Sequence, residues 1–169
     1  MVGQMCHLAN FAANSACRVV AIADLRPDLA AAAAQKFGIP RVYSTHRELL
    51  ADSAVSAVVV VTKRRATGPI VLDALNSGRH VLSEKPMAYT TAQASSLVEA
   101  ARRQNLVYSI GYMKRHDAGV ARALQVLTRL REDQSLGRIV RAEGWCFGGD
   151  TRPVARQFRD DRRSATGRD

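Results

Sequence analysis

The run Val55–Val61, with five valines in seven residues, constrains the fold of this chain more than any other segment. It is short for a helix and too apolar to leave one face in water, so it predicts a central strand of a parallel sheet covered on both faces. Parallel strands need helical crossovers, and the neighbouring sequence supplies them. Arg18–Ala23 is a second buried-strand run. Pro27–Phe37 reads as a helix, with proline at its first turn and Gly38 just past its end. Val42–Ser44 is a short extended piece, His46–Ala51 a short helix, Gly68–Asn76 a helix closed by Gly78, and His80–Ser83 a strand. Thr90–Gln104 is a helix, Leu106–Met113 a strand, and Asp117 caps a helix that runs to about Arg131. A helix from about Val2 to Asn14 precedes them all. The rhythm predicts an α/β fold built on a doubly wound parallel sheet.

Length and composition narrow the class. At 169 residues and 47% hydrophobic, the chain suits one domain with a real core and is short for two. Cys6, Cys17 and Cys146 are too few and too dispersed for a disulfide framework, and none has metal-ligand spacing with a histidine, so no metal is expected. A reducing cytoplasm fits. The apolar stretch Leu8–Ala23 is broken by Asn10, Asn14, Ser15 and Arg18 and has no basic leader, which argues against an export signal or a membrane span. The net charge of +10 invites a nucleic-acid partner, but the arginines are spread along the chain and aromatic residues make up 5% of it. The stripe and stacking platforms that nucleic acid requires are missing, and no nucleic-acid partner is expected.

The segment Gly78–Ala88 carries the chemistry. Its strand stops on Glu84, Lys85 and Pro86. In an open α/β sheet the carboxyl ends of strands face the ligand crevice, so the carboxylate and the amine are placed for a cofactor or substrate, and the proline cannot extend the ladder. The plainer alternative is a polar turn. A phosphate-binding turn belongs before the first helix, yet the chain has no full Gly-x-Gly-x-x-Gly; Gly3 is a candidate for its third glycine. Asp24 ends the first strand 21 residues after Gly3, near the ~20-residue offset of an acidic residue that binds a ribose hydroxyl. Asp24 also reads as an N-cap of the Pro27 helix.

Gly3 and His7, Ile22-Ala23-Asp24, Val60-Val61-Thr62, Gly78 through Pro86, and Gly111-Tyr112-Met113-Lys114-Arg115 together resemble the glucose-fructose oxidoreductase, inositol dehydrogenase and MocA-like family over about residues 1–150. The resemblance implies the Rossmann-like, NAD(P)-binding part of a dehydrogenase that moves a hydride between a nicotinamide cofactor and a sugar, polyol or cyclitol hydroxyl. It implies cofactor contacts for Gly3, Asp24, Thr62, Glu84 and Lys85. Asp24 would accept from the adenosine ribose and repel a 2′-phosphate, favouring NAD, with NADP the alternative that Arg26 keeps open. Glu84 would reach the nicotinamide ribose. Lys85 would be catalytic, stabilising alkoxide charge beside the nicotinamide, and Pro86 is a candidate for a cis bond. Tyr112 and Arg115 become substrate-side candidates, with a packed aromatic and a solvated arginine as the alternatives. The family commonly has Pro-Asn and then a histidine after the threonine; here Lys63-Arg64 and Thr67 stand there, and a solvated basic loop is expected.

The expected organisation is an incomplete Rossmann domain over 1–118 lacking its first strand, with Met1-Val2-Gly3 inside the phosphate turn. A linking helix and the first strand of a second α/β domain follow over 119–150, that strand spanning Arg138–Phe147. The segment 151–169, with six arginines and three aspartates, reads as a disordered or out-of-frame tail. A small sugar or polyol is the expected partner and a homo-oligomer is left open. The competing reading is a dinucleotide-binding or oligomerisation module without turnover.

Overall fold

Short parallel strands alternate with helices in the computed structural model, which describes residues 3–133 and 137–145. The chain forms two compact units, the first ending at Val120 and the second beginning at Ala121. The first opens with a π-helical segment, Gly3–Leu8, continued by α1 (Ala9–Ala13). Then come β1 (Ala21–Ala23), α2 (Pro27–Phe37), β2 (Arg41–Tyr43), α3 (His46–Ala51), β3 (Ala57–Val60), α4 (Arg64–Asn76), β4 (His80–Ser83), α5 (Thr91–Arg103) and β5 (Tyr108–Ile110). A 3₁₀ turn over Met113–His116 leads into α6 (Ala118–Asp133), whose first turn is capped by Asp117 through the Gly119 amide at 2.9 Å.

The sheet is parallel and Rossmann-like, and it is divided. β1 pairs with β2, Ala21 opposite Arg41, while β3, β4 and β5 form a separate ladder with Ala57 opposite His80 and Ser83 opposite Ile110. The expectation that Val55–Val61 is a central strand is therefore corrected. Among the described residues β3 pairs on one side only, and Val59 is 40% exposed. The division falls between β1 and β3; among the described residues no strand pairs with either there, and each facing edge keeps unpaired backbone groups.

Local signals explain the helix ends. Pro27 opens α2, and Gly38 closes it at φ 64°, a left-handed conformation that suits glycine. Thr45 and Thr90 cap α3 and α5, accepting the amides of Glu48 at 3.2 Å and Gln93 at 3.1 Å. α4 begins at Arg64, four residues before the expected Gly68, because the Lys63 carbonyl accepts the Ala66 and Thr67 amides and starts the turn upstream of Pro69. Pro69 thus lies inside the helix rather than at its start. β5 stops at Ile110, short of the expected Met113, and β1 covers only half of its run; each strand lasts only as long as its pairing partner.

The core lies between β3, β4 and the paired helices α4 and α5, and contains Val60, Val71, Leu75, Val81, Leu97 and Ala100. A Cβ on Gly68 would meet the end of the Gln93 side chain, so glycine leaves that side chain its place between α4 and α5. No helix among the described residues is long and apolar enough to cross a membrane. In the second unit α6 continues to Asp133, Leu124 and Leu127 are exposed, and Arg141 pairs with Glu143. Residues 138–145 form no strand with other described residues. The remainder of the expected Arg138–Phe147 strand, Cys146 and the 151–169 tail lie outside the described residues.

Asp52 fastens α3 to β2. It accepts the Ala54 amide at 3.0 Å, the Tyr43 hydroxyl at 3.1 Å and the Arg41 guanidinium at 2.7 Å. These donors, the Ala54 amide foremost, hold its carboxyl below the ordinary carboxylate range against the opposing effect of burial. A carboxyl depressed in the folded state stabilises fully above its unfolded value and loses that contribution as pH falls through the folded value. Asp52→Asn is therefore expected to reduce the drop in Tm between about pH 5 and 2, followed by circular dichroism; an acid limb as steep as the wild type's would remove Asp52 from the pH dependence.

Candidate functional site

Parallel pairing puts the carboxyl ends of the strands on one side of each sheet, and the expected site residues follow those ends. Asp24 comes directly after β1, Thr62 two residues after β3, Glu84 directly after β4, and Tyr112 two residues after β5. The Gly111 amide donates to the Ser83 carbonyl at 2.8 Å, which draws the ends of β4 and β5 together.

Asp24 continues the pairing of β1, its amide donating to the Tyr43 carbonyl at 3.3 Å. It does not cap α2; Arg26 occupies that position without a side-chain cap. The Asp24 carboxylate instead accepts the Arg26 amide at 3.0 Å and the Arg26 guanidinium at 2.9 Å on each oxygen. The Arg26 side chain, more than its amide or charge, holds the Asp24 carboxyl below the ordinary range, while burial works against it. A carboxylate has about four acceptor positions, so Asp24 keeps room for a ribose hydroxyl.

Glu84 is the best-built position. Its Oε1 lies 2.9 Å from His7 Nε2, and its Oε2 accepts the Lys85 amide at 3.2 Å. A Cβ on Gly111 would stand 3.4 Å from Oε1, at the edge of ordinary van der Waals contact, so Gly111 lies directly against the carboxylate. His7 had no role assigned from the sequence. Its motif position was visible, but its partner lies 77 residues away.

The Lys85–Pro86 bond is cis. Lys85 is exposed, and no hydrogen bond or ion pair to a described residue engages its Nζ. Gly3 lies against Val61, where a Cβ would meet the valine at 3.8 Å, an ordinary contact, so helix–strand packing alone does not demand glycine there. Thr62 Oγ1 lies 3.1 Å from Thr67 Oγ1, and Thr67 is 4% exposed, so the residue standing in for the family's histidine is packed under the start of α4. Lys63, Arg64 and Arg65 are exposed; Arg65 lies over the Tyr89 ring at 5.9 Å. Tyr112, 44% exposed, and Arg115 on the 3₁₀ turn make no side-chain hydrogen bond to Glu84 or Lys85. Among the described residues no cluster of His, Cys, Asp and Glu is arranged to hold a metal ion.

This arrangement offers carboxylate acceptors at two strand ends and, beside one of them, a cation with no described partner, a chemistry that the hydroxyls of a dinucleotide would fit. The profile of an oxidoreductase family with an NAD-binding Rossmann fold, the glucose-fructose oxidoreductase, inositol dehydrogenase and MocA family, matches residues 1–112. The levoglucosan dehydrogenase of Pseudarthrobacter phenanthrenivorans is 29% identical over 123 residues, covering 73% of this chain and 30% of that protein. The inositol 2-dehydrogenase of Salmonella paratyphi B is 27% identical over 141 residues, covering 82% of this chain and 41% of its own. A 3-ketoreductase from Actinomadura kijaniata, solved with TDP-benzene and NADP, superposes with a TM-score of 0.70 at 28% identity, over 76% of this chain and 40% of that one. The chain spans less than half the length of these relatives.

Proposed function

From the premise that this chain belongs to the glucose-fructose oxidoreductase, inositol dehydrogenase and MocA oxidoreductase family through its NAD-binding Rossmann fold, we propose that it serves hydride transfer between a nicotinamide cofactor and a sugar, polyol or cyclitol hydroxyl. The observation that carries this reading is the end of β4, where a positioned carboxylate and an unengaged lysine follow one another on the ligand side of a parallel sheet. The nicotinamide, when bound, supplies the hydride acceptor. Glu84 would accept from the nicotinamide ribose, and Lys85 would hold the substrate hydroxyl and stabilise the negative charge that grows on its oxygen. Asp24 would accept from the adenosine ribose, with Gly3 and Thr62 lining the cofactor's path. Tyr112 and Arg115 would border the substrate. The same reading places the protein in the cytoplasm, consistent with its free Cys6 and Cys17.

A second reading is a dinucleotide-binding or oligomerisation module without turnover of its own. Two measurements separate them: NADH titration by fluorescence, and NAD reduction over a panel of polyols, sugars and cyclitols. Binding with turnover supports hydride transfer, binding without turnover supports the dinucleotide-binding module, and absence of NADH binding sinks both of these and leaves the oligomerisation module.

Cofactor choice tests the Asp24 assignment. Its charge-assisted hydrogen bonds should favour NADH over NADPH by roughly 1–3 kcal/mol, and Asp24→Ala should erase that preference and leave Arg26 free for a 2′-phosphate. An unchanged ratio of the two dissociation constants would remove Asp24 from the cofactor site.

A further inference from the structure

We propose that His7 is a positioning residue for the end of β4: its Nε2–H donates to Glu84 Oε1 and ties the first helical segment to the loop that carries Lys85. The inference rests on the reading of that strand end as the nicotinamide side of the cofactor site. The contact is 2.9 Å long, joins segments 77 residues apart, and is sheltered, the two side chains being 19% and 22% exposed. Both Glu84 oxygens are occupied, Oε1 by His7 and Oε2 by the Lys85 amide, so the carboxylate is held in one orientation with lone pairs to spare. An isolated glutamate after a strand would sample several rotamers and lose that freedom on binding a ribose hydroxyl. Fixing it beforehand lowers the cost of binding and keeps the acceptor aimed.

His7 also stacks on Phe11, ring centroids 6.4 Å apart and 15° from parallel, so a merely structural role has to be separated from a positioning one. His7→Phe keeps an aromatic ring for Phe11 and removes the donor; His7→Gln restores an N–H donor and removes the ring. In the full chain, nitrogen NMR should find the His7 proton on Nε2. Carbon relaxation at the Glu84 Cγ should report a rigid side chain in the wild type and in His7→Gln, and in His7→Phe one as mobile as the exposed Glu99. NADH affinity should fall about tenfold in His7→Phe and recover in His7→Gln.

A neutral His7 ring protonated on Nδ1 alone overturns the proposal with no variant needed. So does a Glu84 side chain equally ordered in His7→Phe, or one loosened equally by both substitutions, or an NADH affinity that His7→Phe leaves unaltered in a wild type that binds NADH. Should the wild type fail to bind NADH, the cofactor reading falls, and Glu84 order alone decides whether His7 positions this strand end.

Discussion

On the proposed hydride-transfer reading, Lys85→Ala is expected to lower kcat for polyol oxidation by about 10²–10³ while leaving NADH affinity within about threefold. The expectation follows from where the amine stands. Lys85 comes directly after Glu84 at the carboxyl end of β4, and its Nζ is free of described partners, so its charge is not already neutralised by an internal ion pair. A cation that meets the reacting oxygen only as charge develops stabilises the transition state more than the ground state, and its removal appears in kcat rather than in binding. Lys85→Arg keeps the charge but replaces a compact ammonium by a planar fork, so partial activity is expected. Equal losses in kcat and NADH affinity would make Lys85 a cofactor-binding residue. Unchanged kinetics would remove it from the reaction.

The second large effect concerns the packing that holds this strand end in place. Leu75 on α4 is fully buried among Val71, Leu97 and the strands β3 and β4. Truncation to alanine removes apolar contacts and leaves a cavity, at a cost of about 2–5 kcal/mol. Against a total stability of roughly 5–15 kcal/mol for a domain of ordinary size, Leu75→Ala should shift the midpoint of urea unfolding strongly downward. Leu25→Ala, at a position 85% exposed, should leave the midpoint where it was. If the two variants unfold alike, the core is not the one described.

Elements signalled by their own residues were legible in the sequence. Pro27 and Gly38 bracket α2, Thr90 caps α5, and β4 keeps the bounds His80–Ser83 that its apolar run predicts. Such signals act within a few residues, through a fixed proline φ, a left-handed glycine or a threonine hydroxyl on a nearby amide. The start of α4 was misplaced because Gly68-Pro69 looks like a helix beginning, while the Lys63 carbonyl had already collected two amides upstream.

The candidate site divides in the same way. Glu84, Lys85 and Asp24 could be singled out as candidates because a strand that ends on charged residues is a local pattern. The competing N-cap reading of Asp24 gave way to Arg26, since a flexible guanidinium two residues on can turn back to grip both carboxylate oxygens. Composition gave no hint of the His7 contact.

By itself, then, the chain's sequence determined the alternation of strands and helices, their parallel sense, and the charged residues standing at the strand ends. Those properties depend on periodicity and on contacts a few residues apart. Tertiary structure alone decided that β3 pairs on one side only among the described residues, that Thr67 is packed against Thr62, and that His7 meets Glu84. Strand neighbours and side-chain partners are set by how whole elements close around a core, and a valine run carries the same apolar pattern whether one side of it is paired or both.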